Sequence, residues 1–202
     1  CDRMIDVLGS DHKLIASQLR AVLTLLGEKT PDVVVFEFVT LPEGSMSTRE
    51  GKYISADELM DKMVSRAKEE VDKRRPEMPE HERRKIAEAV GIGAMRYDMV
   101  KVSPDKNMVF DWKEALDLEK LGAPFIQYSH ARACSILKKA QNEGYSGNME
   151  TASQYLKEEW EIALMKKMGE LDSVLERCLW ELKPHHLATY ARELAEAFNL
   201  FY

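Results

Sequence analysis

The run Asp32-Val33-Val34-Val35-Phe36-Glu37-Phe38-Val39 constrains this chain more than any other stretch. Opened by Pro31 and dense in β-branched and aromatic residues, it reads as a strand. Upstream, Met4 to Leu8 is a second short apolar run, closed by Gly9-Ser10-Asp11-His12. Between the two, Leu14, Ile15, Gln18, Leu19, Val22, Leu23 and Leu26 recur at helical spacing. Ser10 or Asp11 can cap that helix and Gly27 can stop it. Strand, helix and strand at this spacing form a βαβ crossover, the unit of a parallel sheet. Such sheets bind ligands at the carboxyl ends of their strands. Gly9 to His12 and the loop after the second strand are therefore predicted to share one rim.

That loop runs through Leu41 to Met63. Gly44 and Gly51 bracket Ser45, Met46, Ser47, Thr48 and Arg49, so the segment can bend against its flanks. A hydroxyl-rich, basic loop leading into a helix can meet an anionic ligand. It is also what an ordinary surface connection looks like. Ser55 and Glu58 make a capping box that fixes where the next helix begins. Asp11, at a strand-to-helix junction, is on local grounds a helix cap.

From Ala56 to about Arg75, Leu59, Met60, Met63, Val64, Ala67 and Val71 mark one apolar helix face, opposite charges of mixed sign. Lys73, Arg74 and Arg75 give it a small basic end. Pro76 and Pro79 break this helix, and Glu80 opens another that reaches Gly91-Ile92-Gly93-Ala94, small residues that permit close packing. Val100 to Pro104 and Met108 to Trp112, around a turn at Asp105-Lys106-Asn107, read as a small hairpin. Beyond Trp112 the pattern is almost wholly helical. Trp160, Ile162, Leu164, Met165, Met168, Leu171, Val174, Leu175 and Trp180 are the expected core of the later helices. The fold class expected is mostly α with an α/β part: a partial parallel, Rossmann-like sheet followed by a helical bundle.

No apolar run approaches the ~20 residues that cross a bilayer, and no signal-peptide pattern opens the chain. Three cysteines far apart, without C-x-x-C, argue against a disulfide framework or zinc site and fit a reducing cytoplasm. His185-His186 lacks the additional spaced ligand that metal binding needs, so no protein metal site is expected. A net charge of -6 excludes nucleic-acid binding through overall charge, though not through a local face.

Preceded by VVVFEFVTLPEG and followed by KYISADEL, the Met46-Ser47-Thr48-Arg49 run resembles the second signature loop of class I aminoacyl-tRNA synthetases, in the variant form of arginyl-tRNA synthetases of archaeal or bacterial-like type. Four further stretches are similar to that family in the same order. GSDH matches the segment lining its amino-acid and ATP pocket. Val90 to Tyr97 matches a V-G-x-G-A-x-[KR]-Y stretch in its linking region. PFIQYSHAR matches the opening of its anticodon-binding domain, and the run from Pro184 to Tyr202 resembles that domain's P-H-x-[LV]-x-x-Y…N-x-F-Y helix.

The resemblance implies three regions: residues 1–56 as the carboxyl-side part of the catalytic domain, 57–115 as a linking helical region, and 116–202 as a helical anticodon-binding domain. It implies that Ser45, Met46, Ser47, Thr48 and Arg49 form the catalytic loop, and that Gly9, Asp11, His12, Val39 and Lys52 line the nucleotide and amino-acid pocket. A guanidinium ligand suits an acidic group such as Asp11 through paired charge-assisted hydrogen bonds. Tyr202, which can stack on unpaired bases, and Gln127, Tyr128 and Arg132 are the RNA candidates. For the last three, a packed polar junction is the reading favoured over an RNA contact. The implied reaction joins L-arginine to its tRNA at the expense of ATP, which brings Mg2+, in a cytoplasmic monomer with no membrane attachment.

The signature loop departs from the class I pattern: Ser45 stands where a lysine usually opens it and Thr48 at the second lysine position, leaving Arg49 as its cation with Lys52 just outside. The missing charge is expected upstream, near the HIGH signature, which does not occur in these 202 residues. The chain opens without a start methionine and closes inside an amphipathic pattern, so a fragment is expected. The alternatives are a non-catalytic tRNA-binding or scaffold module of synthetase architecture, and a helical interaction domain. If the fragment reading holds, these 202 residues alone form no arginyl-adenylate. Pyrophosphate exchange with arginine and ATP measures this, and robust exchange would refute it.

Overall fold

Parallel pairing of the first two strands follows from the apolar runs at either end of the crossover. In the computed structural model, which describes residues 2–42, 54–117, 122–145, 147 and 154–202, β1 (Ile5–Gly9) lies against β2 (Asp32–Phe36). The register runs from Ile5 opposite Asp32 to Gly9 opposite Phe36. Arg3 pins the start of the pair, its Nε donating to Asp32 Oδ2 at 2.7 Å, while the Asp32 N–H donates to the Met4 carbonyl at 2.9 Å. A single 3-10 turn (Ser10–His12) leads into α1 (Lys13–Leu25), and Gly27 (φ +71°) takes the left-handed conformation that stops it.

The extended run expected through Val39 breaks after Phe36 and resumes as β3 (Val39–Thr40). The expected hairpin does not form. Val100 is still helical, the Lys101 N–H donating to the Tyr97 carbonyl at 2.8 Å, and β4 (Met108–Val109) pairs in parallel with β3. The turn itself is present, with the Lys106 N–H on the Ser103 carbonyl at 3.0 Å. Its backbone partners come from the earlier strand region: Glu37 donates to the Pro104 carbonyl (2.8 Å), Met108 to Phe38 (3.3 Å) and Phe110 to Thr40 (2.8 Å). A neighbouring parallel edge satisfies these groups, so a local hairpin has none left to pair.

The described helices of the rest are α2 (Ala56–Arg74), α3 (Glu80–Val100), the short α4 (Trp112–Ala115), α5 (Ala123–Asn142), α6 (Glu159–Gly169), α7 (Leu171–Glu181) and α8 (His185–Phe201). The chain divides into two compact units, residues 1–54 with 102–111, and residues 55–101 with 112–202. It is mostly helical with small parallel sheets, as the patterning implied.

In the second unit α2 and α3 pack as an antiparallel pair. Ser55 accepts from the Glu58 N–H and Glu58 returns the bond to the Ser55 N–H, both at 3.1 Å, so the capping box is complete. Leu59, Met63 and Ala67 are buried on α2, and Ala87, Gly91 and Ala94 on α3. At the hairpin end Lys68, Asp72, Glu80 and Arg83 form one ion-pair cluster, with Arg83 2.8 Å from Asp72 and 2.6 Å from Glu80. A Cβ on Gly91 would fall 2.8 Å from the Val64 backbone, so this crossing needs glycine. Among the other helices α8 is central, meeting α3, α5, α6 and α7.

Several expected core residues are exposed: Trp160, Ile162, Met165, Met168, Leu171, Leu175 and, at 78%, Trp180. Leu164 and Val174 are half-buried. α6 and α7 pack mainly on α8, which covers only one side of each. Likewise the α1 stripe has helical spacing, yet Leu14, Ile15, Leu19, Val22 and Leu26 stay exposed beside only two strands.

The corner from α7 to α8 turns through Leu182, a non-glycine residue at φ 54°. Glu181 braces it, accepting from Arg177 Nε at 2.8 Å and lying 2.7 Å from His186 Nε2. The Arg177 bond first, and the His186 bond second, hold the Glu181 carboxyl at about 2.

Two outcomes are expected. Gly91→Ala lowers the unfolding free energy by about 1–3 kcal/mol in urea titration, despite alanine's helix propensity, because the obstacle is backbone. Gly93→Ala is closer to neutral, since its added Cβ meets only the movable end of Gln127. The folded Glu181 carboxyl titrates below its ordinary value of 4.5, so its contribution is full above that value and is lost as pH falls towards about 2. Arg177→Ala should move that titration up towards 4.5 in carboxyl NMR; a midpoint unchanged near 2 would contradict the assigned cause.

Candidate functional site

The register of β1 with β2 delivers both strand exits to one edge, with Gly9 beside Phe36. The 3-10 turn follows directly from Gly9, where an added Cβ would meet the movable carboxylate of Asp11, 2.8 Å from its Oδ1. Asp11 and His12 are exposed neighbours on this turn, with His12 Nδ1 2.9 Å from Asp11 Oδ1. An exposed carboxylate keeps acceptor positions for a cationic ligand.

Glu37, one residue beyond β2, reaches back to the same turn. Its Oε1 accepts from Lys13 Nζ at 2.7 Å, and its carboxylate also accepts the Ser10 hydroxyl. The Lys13 bond first, and the Ser10 bond second, hold the Glu37 carboxyl below its ordinary range. Lys13 and Glu37 were not singled out by sequence reasoning, and Ser10 was expected only as a helix cap within the GSDH run. The available signal was an acidic residue directly after a β-branched run, facing a basic residue directly after Asp-His.

Of the pocket residues expected from sequence, Gly9, Asp11 and His12 come together on this turn. Val39 lies half-buried on β3, opposite Met108. Ser45, Met46, Ser47, Thr48, Arg49 and Lys52 lie outside the described residues. The first turn and the exit of β2 thus share the edge.

A second cluster forms where α5 meets the end of α8. The Arg132 guanidinium stands 3.9 Å from the centre of the Tyr202 ring, and Phe198 stacks on that ring at 6.4 Å. Arg132 Nη1 also donates to Asn199 Oδ1 at 3.3 Å. Asn199 is itself held, its Nδ2 donating to Ser129 Oγ at 2.6 Å and to the Ala195 carbonyl at 2.8 Å. Tyr202 remains 61% exposed. An exposed ring backed by a guanidinium is a stacking platform for an unpaired base. Asn199 and Ser129 were missed as its supports, although Asn199 stands in the F-N-x-F-Y pattern.

Gln127 and Tyr128 do not join this cluster through any described contact. Gln127 Nε2 donates to the Ala89 carbonyl at 2.9 Å, which bridges α5 to α3, and Tyr128 is exposed. The basic end of α2 carries its own counterions: Lys73 and Arg74 lie 3.0 and 3.6 Å from Glu70, and Arg75 lies 3.7 Å from Glu77. Among the described residues no group of three or more His, Cys, Asp or Glu side chains could hold a metal ion, and no described helix is long and apolar enough to cross a membrane.

Residues 1–112 match the family described as tRNA synthetases class I (R), catalytic domain, and residues 126–202 match the DALR anticodon binding domain. The chain is 61% identical over 202 residues to an arginine--tRNA ligase of Methanococcoides burtonii and 60% identical to one of Methanosarcina barkeri. In each case all of this chain aligns with 36% of the relative, so it spans about a third of their length. Thermus thermophilus arginyl-tRNA synthetase superposes with a TM-score of 0.85 at 30% identity, covering 99% of this chain and 33% of that one. A Plasmodium falciparum arginyl-tRNA synthetase shares the fold at a TM-score of 0.76 and 20% identity, covering 100% and 34%.

Proposed function

This chain belongs to the class I tRNA synthetase (R) family, and we propose that its protein is an arginine--tRNA ligase, coupling L-arginine to its tRNA at the expense of ATP during protein synthesis. The observation that carries the reading is identity of 61% over 202 residues to an arginine--tRNA ligase. The arginine carboxylate attacks the α-phosphate of ATP in line and pyrophosphate leaves; the terminal ribose hydroxyl of the tRNA then attacks the carbonyl of the resulting arginyl-adenylate, and AMP leaves. Such a reaction needs positioning and positive charge more than covalent help.

In this reading residues 1–56 belong to the catalytic domain, 57–115 link, and 116–202 bind the anticodon region. Asp11 receives the arginine guanidinium through paired hydrogen bonds, with His12 beside it. Gly9 and Val39 shape the pocket wall. The loop of Ser45, Met46, Ser47, Thr48 and Arg49, with Lys52, meets the triphosphate, which arrives with Mg2+ as part of the substrate. Arg132 and Tyr202 offer the base platform, and Tyr128 an additional exposed aromatic face. Gln127 serves the junction of α5 with α3. The protein works in the cytoplasm as a monomer.

Aminoacylation of arginine tRNA by the full-length encoded protein tests the assignment. A scaffold module would bind that tRNA without charging it. Within the proposal, Tyr202→Ala and Arg132→Ala each weaken tRNA by about 1–3 kcal/mol, seen as a raised KM for tRNA with the KM for arginine unchanged. An unaltered KM for tRNA in both variants would remove the stacking role.

A further inference from the structure

We propose that Glu37 is a positioning residue of the arginine pocket, fixing the turn that presents Asp11 by gripping Ser10 and Lys13 on either side of it. The inference rests on the reading of Asp11 given under Proposed function. Glu37 has three anchors: Lys13 Nζ at 2.7 Å, the Ser10 hydroxyl, and its own N–H on the Pro104 carbonyl at 2.8 Å. The backbone bond fixes Glu37 against the segment before β4, and its side chain carries that anchorage across to the turn.

Within the turn itself the Lys13 N–H donates to the Ser10 carbonyl. Neither Gly9 before it nor His12 at the start of α1 makes a side-chain cap bond. The described side-chain hydrogen bond of Asp11 is to its neighbour His12. The Glu37 side chain is 19% exposed, whereas that of Lys13 is 56% exposed, so the shielded member of the pair is the one bonded to both flanks of Asp11. An ion pair this near solvent adds little to stability. Its consequence is geometric: Ser10 and Lys13 bracket residues 11 and 12, so their common acceptor sets the direction in which the Asp11 carboxylate points. Paired recognition of a planar guanidinium depends on that direction.

The test uses the full-length encoded protein, with aminoacylation kinetics and hydrogen exchange at residues 10–13. Asp11→Asn and Glu37→Ala should each raise the KM for arginine about tenfold or more, the scale expected when a recognition group is misplaced. In Glu37→Ala the kcat and the KM for tRNA stay within about twofold. Glu37→Gln, whose carbonyl oxygen still accepts from Ser10 and Lys13, recovers most of the loss, which a purely ionic role would not allow. Amides 10–13 exchange faster in Glu37→Ala while those of α2 and α3 do not. Should Glu37→Ala fold poorly, Ser10→Ala and Lys13→Met decide the matter by raising the same KM less. An arginine KM unchanged by Glu37→Ala, or by both of the milder variants, while Asp11→Asn raises it, overturns the positioning role alone. An arginine KM unchanged by Asp11→Asn overturns the pocket reading, and this inference with it.

Discussion

Parallel pairing of Ile5–Gly9 with Asp32–Phe36 is the constraint on which the candidate pocket depends. Two antiparallel strands would have sent their carboxyl ends to opposite edges. Because the pairing is parallel, the exit of β1 and the exit of β2 open side by side, and residues far apart in sequence can bond. The Lys13–Glu37 pair, 24 positions apart, is a direct product of that geometry. Each strand is short, so the register needs outside support. Arg3 on Asp32 supplies it at one end, and the Ser10–Glu37–Lys13 group at the other.

In the helical unit the equivalent constraint is steric. Gly91 brings the α3 backbone against that of α2 around Val64, and Ala67, Ala87 and Ala94 continue the close approach. Small residues give dense backbone contact but little apolar area, which leaves ion pairs around Lys68, Asp72, Glu80 and Arg83 to close the hairpin. Further along, α8 gathers its neighbours and ends in the Asn199 and Tyr202 side chains that meet Arg132. Asn199 ties the cluster to the packing: its Nδ2 bonds Ser129 and the Ala195 carbonyl, and its Oδ1 accepts from the Arg132 guanidinium behind an exposed ring.

Much of this was legible from local rules. The capping box at Ser55 and Glu58, the stop at Gly27, the break at Pro76 and Pro79, and the helical spacing on α1 and α2 each depend on residues a few positions apart. The expected hairpin after Val100 failed because its competitor was distant: β3 offers Met108 a parallel partner from some seventy residues earlier, with Thr40 Oγ1 adding a bond to the Met108 carbonyl at 3.2 Å. The core assignment failed on α6 and α7 for a related reason. Periodicity identifies an apolar face, but only packing decides whether another element covers it, and α8 covers one side.

The sequence by itself determined the kinds of element, the strand-helix-strand order, the family membership carried by GSDH, SMSTREG and PFIQYSHAR, and the residue types available for binding. These follow from nearest-neighbour sterics, hydrogen-bonding partners within a helical turn, and the pattern of letters. Tertiary structure alone decided that Glu37 holds the turn of Asp11, that Gln127 turns to α3 while Arg132 turns to Tyr202, and which apolar faces stay uncovered. Such pairings depend on where the chain returns in space, and a long-range contact leaves no fixed spacing in the sequence from which it could be read.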